Sequence, residues 1–258
     1  MLTIGYSTKK INPEFRDHIE KSCGIHKVEV IPFENPGTHS LSEAYNIILE
    51  KASNDIVVLC HDDITFEKKN WGNKILKHFN RNPDYGILGV AGSKYLPDSG
   101  QWWEKRKKMY GRVQHTSEGK TWLSAYSPDI GSALEEVLIV DGVFFSVHKG
   151  RIKKRFDETV KGFHFYDVDF CFQNYLEGVK VGVHTNIKVN HQSIGQTNED
   201  WDDNRKLFVE KYSSHLPVNI KRTFRKGQKI KVLIGCLNFA NHTGSELYVY
   251  ELTKELLK

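Results

Sequence analysis

The first hundred positions switch between two apolar periods, about two for strands and about 3.6 for helices, and each switch marks an element. Residues 2–6 and 28–31 read as short strands, and the spacing between them predicts a crossover helix over 13–23. Pro13 suits its first turn, where a missing N–H goes unnoticed. Asn35-Pro36-Gly37 is a turn, and Ser40-Leu41-Ser42-Glu43 is a capping box opening a helix that runs to about Ala52. Its stripe is Leu41, Ala44, Tyr45, Ile48, Leu49 and Ala52. Residues 55–60 are a β-branched apolar run too short for a buried helix, so they predict a central strand that ends abruptly in His61-Asp62-Asp63.

A helix over about 67–80 and a strand over 86–91 follow. Residues 92–127 then lose periodicity and carry Trp102, Trp103, Trp122 and the basic run 105–108, which predicts a long functional loop. Residues 137–140 and 143–147 read as strands interrupted at Asp141-Gly142. An amphipathic helix over 167–177 is closed by Gly178, with Val168, Cys171, Phe172, Tyr175 and Leu176 as its apolar stripe. Strands over 179–183 and 187–189 lead to His191, and a helix over 201–212 ends the series. Strands alternating with helices predict an α/β fold, a mostly parallel Rossmann-like sheet flanked by helices, in one domain spanning 1–226. Residues 227–258 start again with a strand, a turn and a helix. One such step cannot bury its own sheet, so the expectation is either that it docks on the first domain or, preferred, that it opens a second domain continuing past Lys258.

Composition narrows the class. The chain has 258 residues, 39% apolar and 27% charged, which excludes intrinsic disorder. Lys and Arg number 37 against 32 Asp and Glu, and the net charge of +5 suits an anionic small molecule or a membrane surface without calling for nucleic acid. No apolar run approaches the ~18 residues of a membrane span and the start lacks a leader pattern, so the expected location is the cytoplasm, at most at the inner face of the membrane. Four cysteines without a Cys-x-x-Cys pair predict reduced thiols, and twelve histidines in no zinc-ligand spacing argue against structural zinc.

In open α/β sheets, ligands bind beyond the carboxyl ends of the strands, where Asp62 and Asp63 follow an apolar strand. Carboxylates there suit Mg2+ or Mn2+ bridging to the phosphates of a nucleotide, although a solvated turn with a capping aspartate would look the same. Asp167 and Asp169 open a helix amid aromatic residues. They read equally as caps or as a desolvated pair with one carboxylate poised as a base. His191 is a candidate ligand for a transition metal. Ser7, Glu34 and Asn35 follow the first two strands, where a base and ribose would sit, and Asp62 would reach ribose or donor sugar. Trp102, Trp103 and Asp141 are candidates for an acceptor site, with packing as the plainer role of the tryptophans.

In their order these segments resemble glycosyltransferase family 2, nucleotide-sugar enzymes of the GT-A fold, over about residues 1–215. The resemblance rests on the opening strand, on Ser40-Leu-Ser-Glu-Ala-Tyr-Asn46, on residues 55–66 as an Asp-x-Asp segment, on Phe165-Tyr-Asp-Val-Asp-Phe170 with Gly178, and on His191. It implies an inverting hexosyl transfer from a nucleoside-diphosphate sugar, UDP ahead of GDP or CDP, in polysaccharide, lipopolysaccharide or glycoprotein assembly. It also implies Asn46 at the donor, Asp63 and His191 on Mn2+ or Mg2+ with Asp62 as a further partner, and Asp167 as general base. The acceptor would be a glycan, a lipid-linked sugar or a protein. The run 104–108 reads first as a solvated face, and otherwise as a contact for lipid-linked or phosphorylated acceptors. Two positions depart from the family pattern. His61 stands where the first acid of Asp-x-Asp is common, and Tyr166 where a Glu often precedes the catalytic Asp, which makes Asp169 an alternative base. Residues 230–257 weakly resemble the start of a GT-B glycosyltransferase.

Other classes fit less well. Gly86, Gly89 and Gly92 do not form the dinucleotide-binding turn, and no glycine-rich activating loop follows the first strand as a nucleotidyltransferase would need. A glycoside hydrolase would use paired acids without a nucleotide. A noncatalytic carbohydrate-binding or scaffold module remains the rival from another class.

Overall fold

A computed structural model describes residues 1–195 and 197–220. In chain order its elements are β1 (Leu2–Thr8), α1 (Pro13–Cys23), β2 (Glu29–Glu34), α2 (Leu41–Lys51), β3 (Ile56–Cys60), β4 (Ile64–Phe66), α3 (Trp71–Arg81), β5 (Tyr85–Gly89), β6 (Ala91–Ser93) and β7 (Tyr95–Leu96). They continue as β8 (Met109–Ser117), β9 (Lys120–Ala125), β10 (Glu135–Val137), β11 (Ile139–Val140), β12 (Phe144–His148), α4 (Tyr166–Leu176), β13 (Lys180–Val183), β14 (Val189–His191), α5 (Glu199–Lys211) and β15 (Val218–Asn219). The main sheet has seven strands in the order β10-β13-β5-β12-β3-β1-β2. The pairs β1–β2, β1–β3 and β5–β13 are parallel, while β12 runs antiparallel between β3 and β5 and β10 antiparallel at the edge.

Period two along the strands divides the core between the faces of this sheet. Ile56, Val58 and Cys60 join Leu2, Ile4 and Tyr6 under α1 and α3, whereas Val57 and Leu59 join Ala44, Tyr45 and Ile48 of α2 and Phe170 of α4. All five residues of β3 are buried, and full burial of a Val, Leu or Ile contributes about 1.5–3 kcal/mol each. Gly5 lets α2 lie close on β1, since a Cβ there would come within 2.2 Å of Ile48 Cγ2. The predicted capping box closes α2: Glu43 N–H donates to Ser40 Oγ and Ser40 N–H to Glu43 Oε2.

The structure corrects the sequence reading at several places. The loop expected over 92–127 contains the β8–β9 hairpin, paired from Arg112–Ala125 to Ser117–Lys120 around a turn with Glu118 and Gly119 at positive φ. Its alternation of apolar and polar positions was masked by small and polar residues on the buried face. Helix α3 starts at Trp71, not near Glu67, because Ile64–Phe66 is a strand. Leu176, assigned to the apolar stripe of α4, is 40% exposed. The basic run sits on an exposed turn of 3-10 helix, Arg106–Lys108. The strand, turn and helix expected over 227–258, with the GT-B resemblance, lie outside the described residues.

Candidate active site

Strand β3 delivers His61-Asp62-Asp63 at the carboxyl edge of the sheet, beside the ends of β1 and β2. The short strand β4 then pairs antiparallel with β14, His191 opposite Ile64, and Gln192 N–H donates to the Asp63 carbonyl at 2.8 Å. This pairing brings together residues far apart in sequence. His191 Nε2 lies 3.2 Å from Asp63 Oδ1, and His61 Nδ1 lies 3.4 Å from His191 Nε2 and 3.9 Å from Asp63 Oδ1. One ligand atom from each of the three falls within 4.8 Å of the others, a span that bonds of about 2–2.5 Å to one cation would bridge.

The donor set fits a divalent cation of the first transition row: two imidazole nitrogens and one carboxylate oxygen. Burial acts to raise the Asp63 carboxyl, but hydrogen bonds from His191 and Ser193 and the nearby His61 bring it down to about 2, so it is an anion. Burial, then the neighbouring His191, holds His61 below its ordinary value, which favours the neutral ring that ligates metals. Asp62 is not the third member of the group. It is exposed and faces a cleft instead. His61, which the sequence reading did not single out as a candidate ligand, carried no periodic signal: the chain turns at Asp62-Asp63, and which of the three consecutive side chains meets His191 is set by the pairing of β4 with β14.

Two cavities meet at this cluster. The first, of about 320 Å³, is lined by Ser7, Asn35, Asp62 and Asp63 together with His61 and Phe163. The second, of about 490 Å³, is lined by Trp102, Trp103, Asp141 and Asp167, again with His61 and Phe163. Asn35 is only 2% exposed and its amide braces the following loop, accepting from the N–H groups of Gly37 and His39 and donating to the His39 carbonyl. Glu34 and Asn46 lie outside both linings. Glu34 is exposed and accepts from Ile11 N–H at 3.4 Å, and the buried Asn46 is occupied by Phe156 and Glu158.

In the second cavity Asp167 is half-buried. It does not cap α4, whose N-cap is Phe165 at φ 63°. Its Oδ2 accepts from Gly142 N–H at 2.7 Å and its Oδ1 from Val168 N–H at 2.9 Å. Burial, then the charge of Asp141, pushes its carboxyl up to about 7. Asp169 stands elsewhere. It is 2% exposed, bonded to Lys211 Nζ at 2.7 Å and Tyr212 OH at 3.0 Å, and lines a separate cavity with Asp157 and Lys211. Burial raises its carboxyl, with Lys211 opposing. Trp102 is buried and Trp103 is 38% exposed, and Trp103 packs on Trp201, a residue the sequence did not single out, at 5.5 Å. His115 lines the same cavity and stacks on Trp122.

A mostly parallel sheet flanked by helices, with a cleft at its carboxyl edge and an acidic helix start beside it, matches the GT-A fold of glycosyltransferases. The chain belongs to the glycosyltransferase-like family, whose model matches residues 16–212. Among solved structures it is similar to GalNAc-T7 with UDP, GalNAc and Mn2+, at 10% identity and a TM-score of 0.50, covering 81% of this chain and 47% of that one. The chain thus spans about half the length of that structure. It is also similar to the mannosyltransferase PcManGT from Pyrobaculum calidifontis in complex with GDP-Man and Mn2+, at 9% identity and a TM-score of 0.45, covering 83% of this chain and 70% of that one. No curated protein matches the chain. Among the described residues no helix is long and apolar enough to cross a membrane.

Proposed function

We propose that the chain transfers a hexose from a nucleoside-diphosphate sugar to an acceptor hydroxyl with inversion at the anomeric carbon. The observation that carries this reading is the order of parts: a cleft beyond β1 and β3, the His61–Asp63–His191 cluster, then a second cavity holding a half-buried carboxylate. Base and ribose would occupy the first cleft against Ser7, Asn35 and Asp62. His61, Asp63 and His191 would hold Mn2+, or Mg2+, which when bound offsets the charge developing on the diphosphate leaving group.

In the second cavity Trp102 and Trp103 offer aromatic faces to the acceptor. Asp167, held by Gly142 and Val168, would take the proton of the attacking hydroxyl. A value near 7 suits that task, because about half of the group is ionised at neutral pH and it is basic enough to accept a proton. The similar fold of GalNAc-T7, solved with UDP, GalNAc and Mn2+, supports a nucleotide-sugar donor. UDP as the base, a glycan, lipid-linked or protein acceptor, and a role in surface glycan assembly on the cytoplasmic side belong to the same proposal. So does a catalytic domain over 1–226 followed by a second module.

Calorimetric titration with UDP, GDP and CDP, each with Mn2+ and with EDTA, tests the reading. One nucleotide should bind with Mn2+, and chelation or Asp63→Ala should weaken it at least tenfold. Sugar binding indifferent to metal and nucleotide would instead support a noncatalytic module.

A further inference from the structure

Among the described residues, two line both cavities: His61 and Phe163. His61 belongs to the cation cluster, which leaves Phe163 without a part in the site as described so far. A phenylalanine that is 50% exposed is ordinary by itself, since much of any protein surface is apolar. Its setting is not ordinary, because the loop that carries it is pinned from both sides. Asn204 of α5, itself buried, donates from its amide to the Lys161 carbonyl at 2.7 Å and to the His164 carbonyl at 3.2 Å. Between them Gly162, at φ 68°, turns its carbonyl the other way, where it accepts from Leu41 N–H at the start of α2 at 2.8 Å. Two residues further on, Phe165 is buried against Trp201 and Phe208, at ring distances of 5.4 and 5.6 Å. The loop is thus fixed at its backbone and anchored by one aromatic ring, yet it forgoes the stabilisation that burying the other would give.

In the proposed reaction the diphosphate lies at His61, Asp63 and His191, and the attacking hydroxyl lies at Asp167 in the second cavity. The anomeric carbon stands between the leaving and the attacking oxygen, so the hexose ring must occupy the junction where the two cavities meet. That junction is where Phe163 stands. A pyranose presents C–H groups on its faces and hydroxyls at its rim. An aromatic ring can therefore receive one face of it without leaving a buried polar group unpaired.

We propose that Phe163 is the residue on which the donor hexose rests: its ring packs on the C–H face of the sugar, on a loop that Asn204 and Leu41 hold in place. This rests on the nucleotide-sugar reading above and adds to it how the sugar is recognised apart from the nucleotide. Ser7, Asn35 and Asp62 line only the first cleft and meet the nucleotide whatever it carries, whereas Phe163 meets the hexose. A hydroxyl standing on the packed face would hold the two rings apart, so residue 163 also discriminates between epimers of the sugar.

Calorimetry in the presence of Mn2+ tests this by comparing each bare nucleotide with its sugar conjugates in wild type, Phe163→Ala and Phe163→Tyr. The probes are UDP against UDP-glucose, UDP-galactose and their N-acetylhexosamine counterparts, GDP against GDP-mannose, and CDP against CDP-glucose. Phe163→Ala should bind the bare nucleotide as wild type does and at least one of its conjugates about 3–10-fold more weakly. Phe163→Tyr keeps the ring and should stay near wild type for both. Because the ring is half-exposed and its loop is held through the backbone, Phe163→Ala should leave thermal unfolding unchanged. Conjugates bound as well by Phe163→Ala as by wild type overturn the proposal. So does an equal loss for bare nucleotide and conjugate, which would put the ring against the nucleotide instead. A wild type that binds no nucleotide with Mn2+ removes the nucleotide-sugar reading and this proposal with it. Nucleotide binding by the wild type keeps that reading whichever way the Phe163 variants behave.

Discussion

The Asp167 carboxyl links its surroundings to pH. A base acts in its ionised form, and this group is held near 7 against an ordinary value of 3.8, so kcat/KM should rise as pH increases through about 7 and fall away below it. Asp141→Asn should move that limb to lower pH. It should not restore the ordinary value, because burial is the larger cause and remains. Asp167→Asn should lower kcat by about 10²–10⁴-fold. Asp169→Asn should instead leave kcat within a few-fold and cost stability by about 1–3 kcal/mol, since it breaks a buried pair with a lysine that is itself part-exposed. A pH–rate profile and urea unfolding of both variants separate the two acids, and exchanged phenotypes would make Asp169 the base.

Elements hold these residues through contacts remote in sequence. Asn46, in α2, donates to the Phe156 carbonyl and to Glu158, both at 2.9 Å, and accepts from Phe156 N–H at 3.0 Å. It ties α2 to the segment that leads into α4. Asn46→Ala should cost about 2–4 kcal/mol in urea unfolding, because both Phe156 backbone groups lose partners in a buried place. Nucleotide affinity in the same variant should stay within a few-fold, and a large loss would return Asn46 to the donor site. Helix α2 itself was legible, since its cap and stripe are local. The β8–β9 hairpin was not, because its buried apolar residues Met109 and Val113 are interrupted by Gly111 while Trp122 and Leu123 of β9 are exposed, so its pairing with β6 and β14 leaves little periodic signal.

For the whole molecule, residues 1–220 form one compact unit containing both layers of the core. A chain ending at Ile220 should unfold in a single transition with Tm within a few degrees of the full chain, and should bind Mn2+ equally well. Scanning calorimetry checks this, and a Tm lowered by tens of degrees would count against the self-sufficiency of the unit. Within it, the parallel strands bring three separated segments, 7–8, 35 and 61–63, to one edge. The antiparallel pairing of β4 with β14 adds His191 from far along the chain.

By itself the sequence determined the α/β class, the boundaries of α1 and α2, the buried central strand and the polar break after it. It also singled out Asp63, His191 and Asp167. Period, capping and turn chemistry act between neighbours, so they survive in a one-dimensional reading. Tertiary structure alone decided that His61 rather than Asp62 joins Asp63 and His191, that Asn46 hydrogen-bonds the Phe156 backbone, and that Asp167 and Asp169 face different cavities. Each of these depends on where a side chain lies relative to groups far from it in sequence. Successive residues of a helix or extended strand look alike on paper and diverge by about 100° or 180° in space.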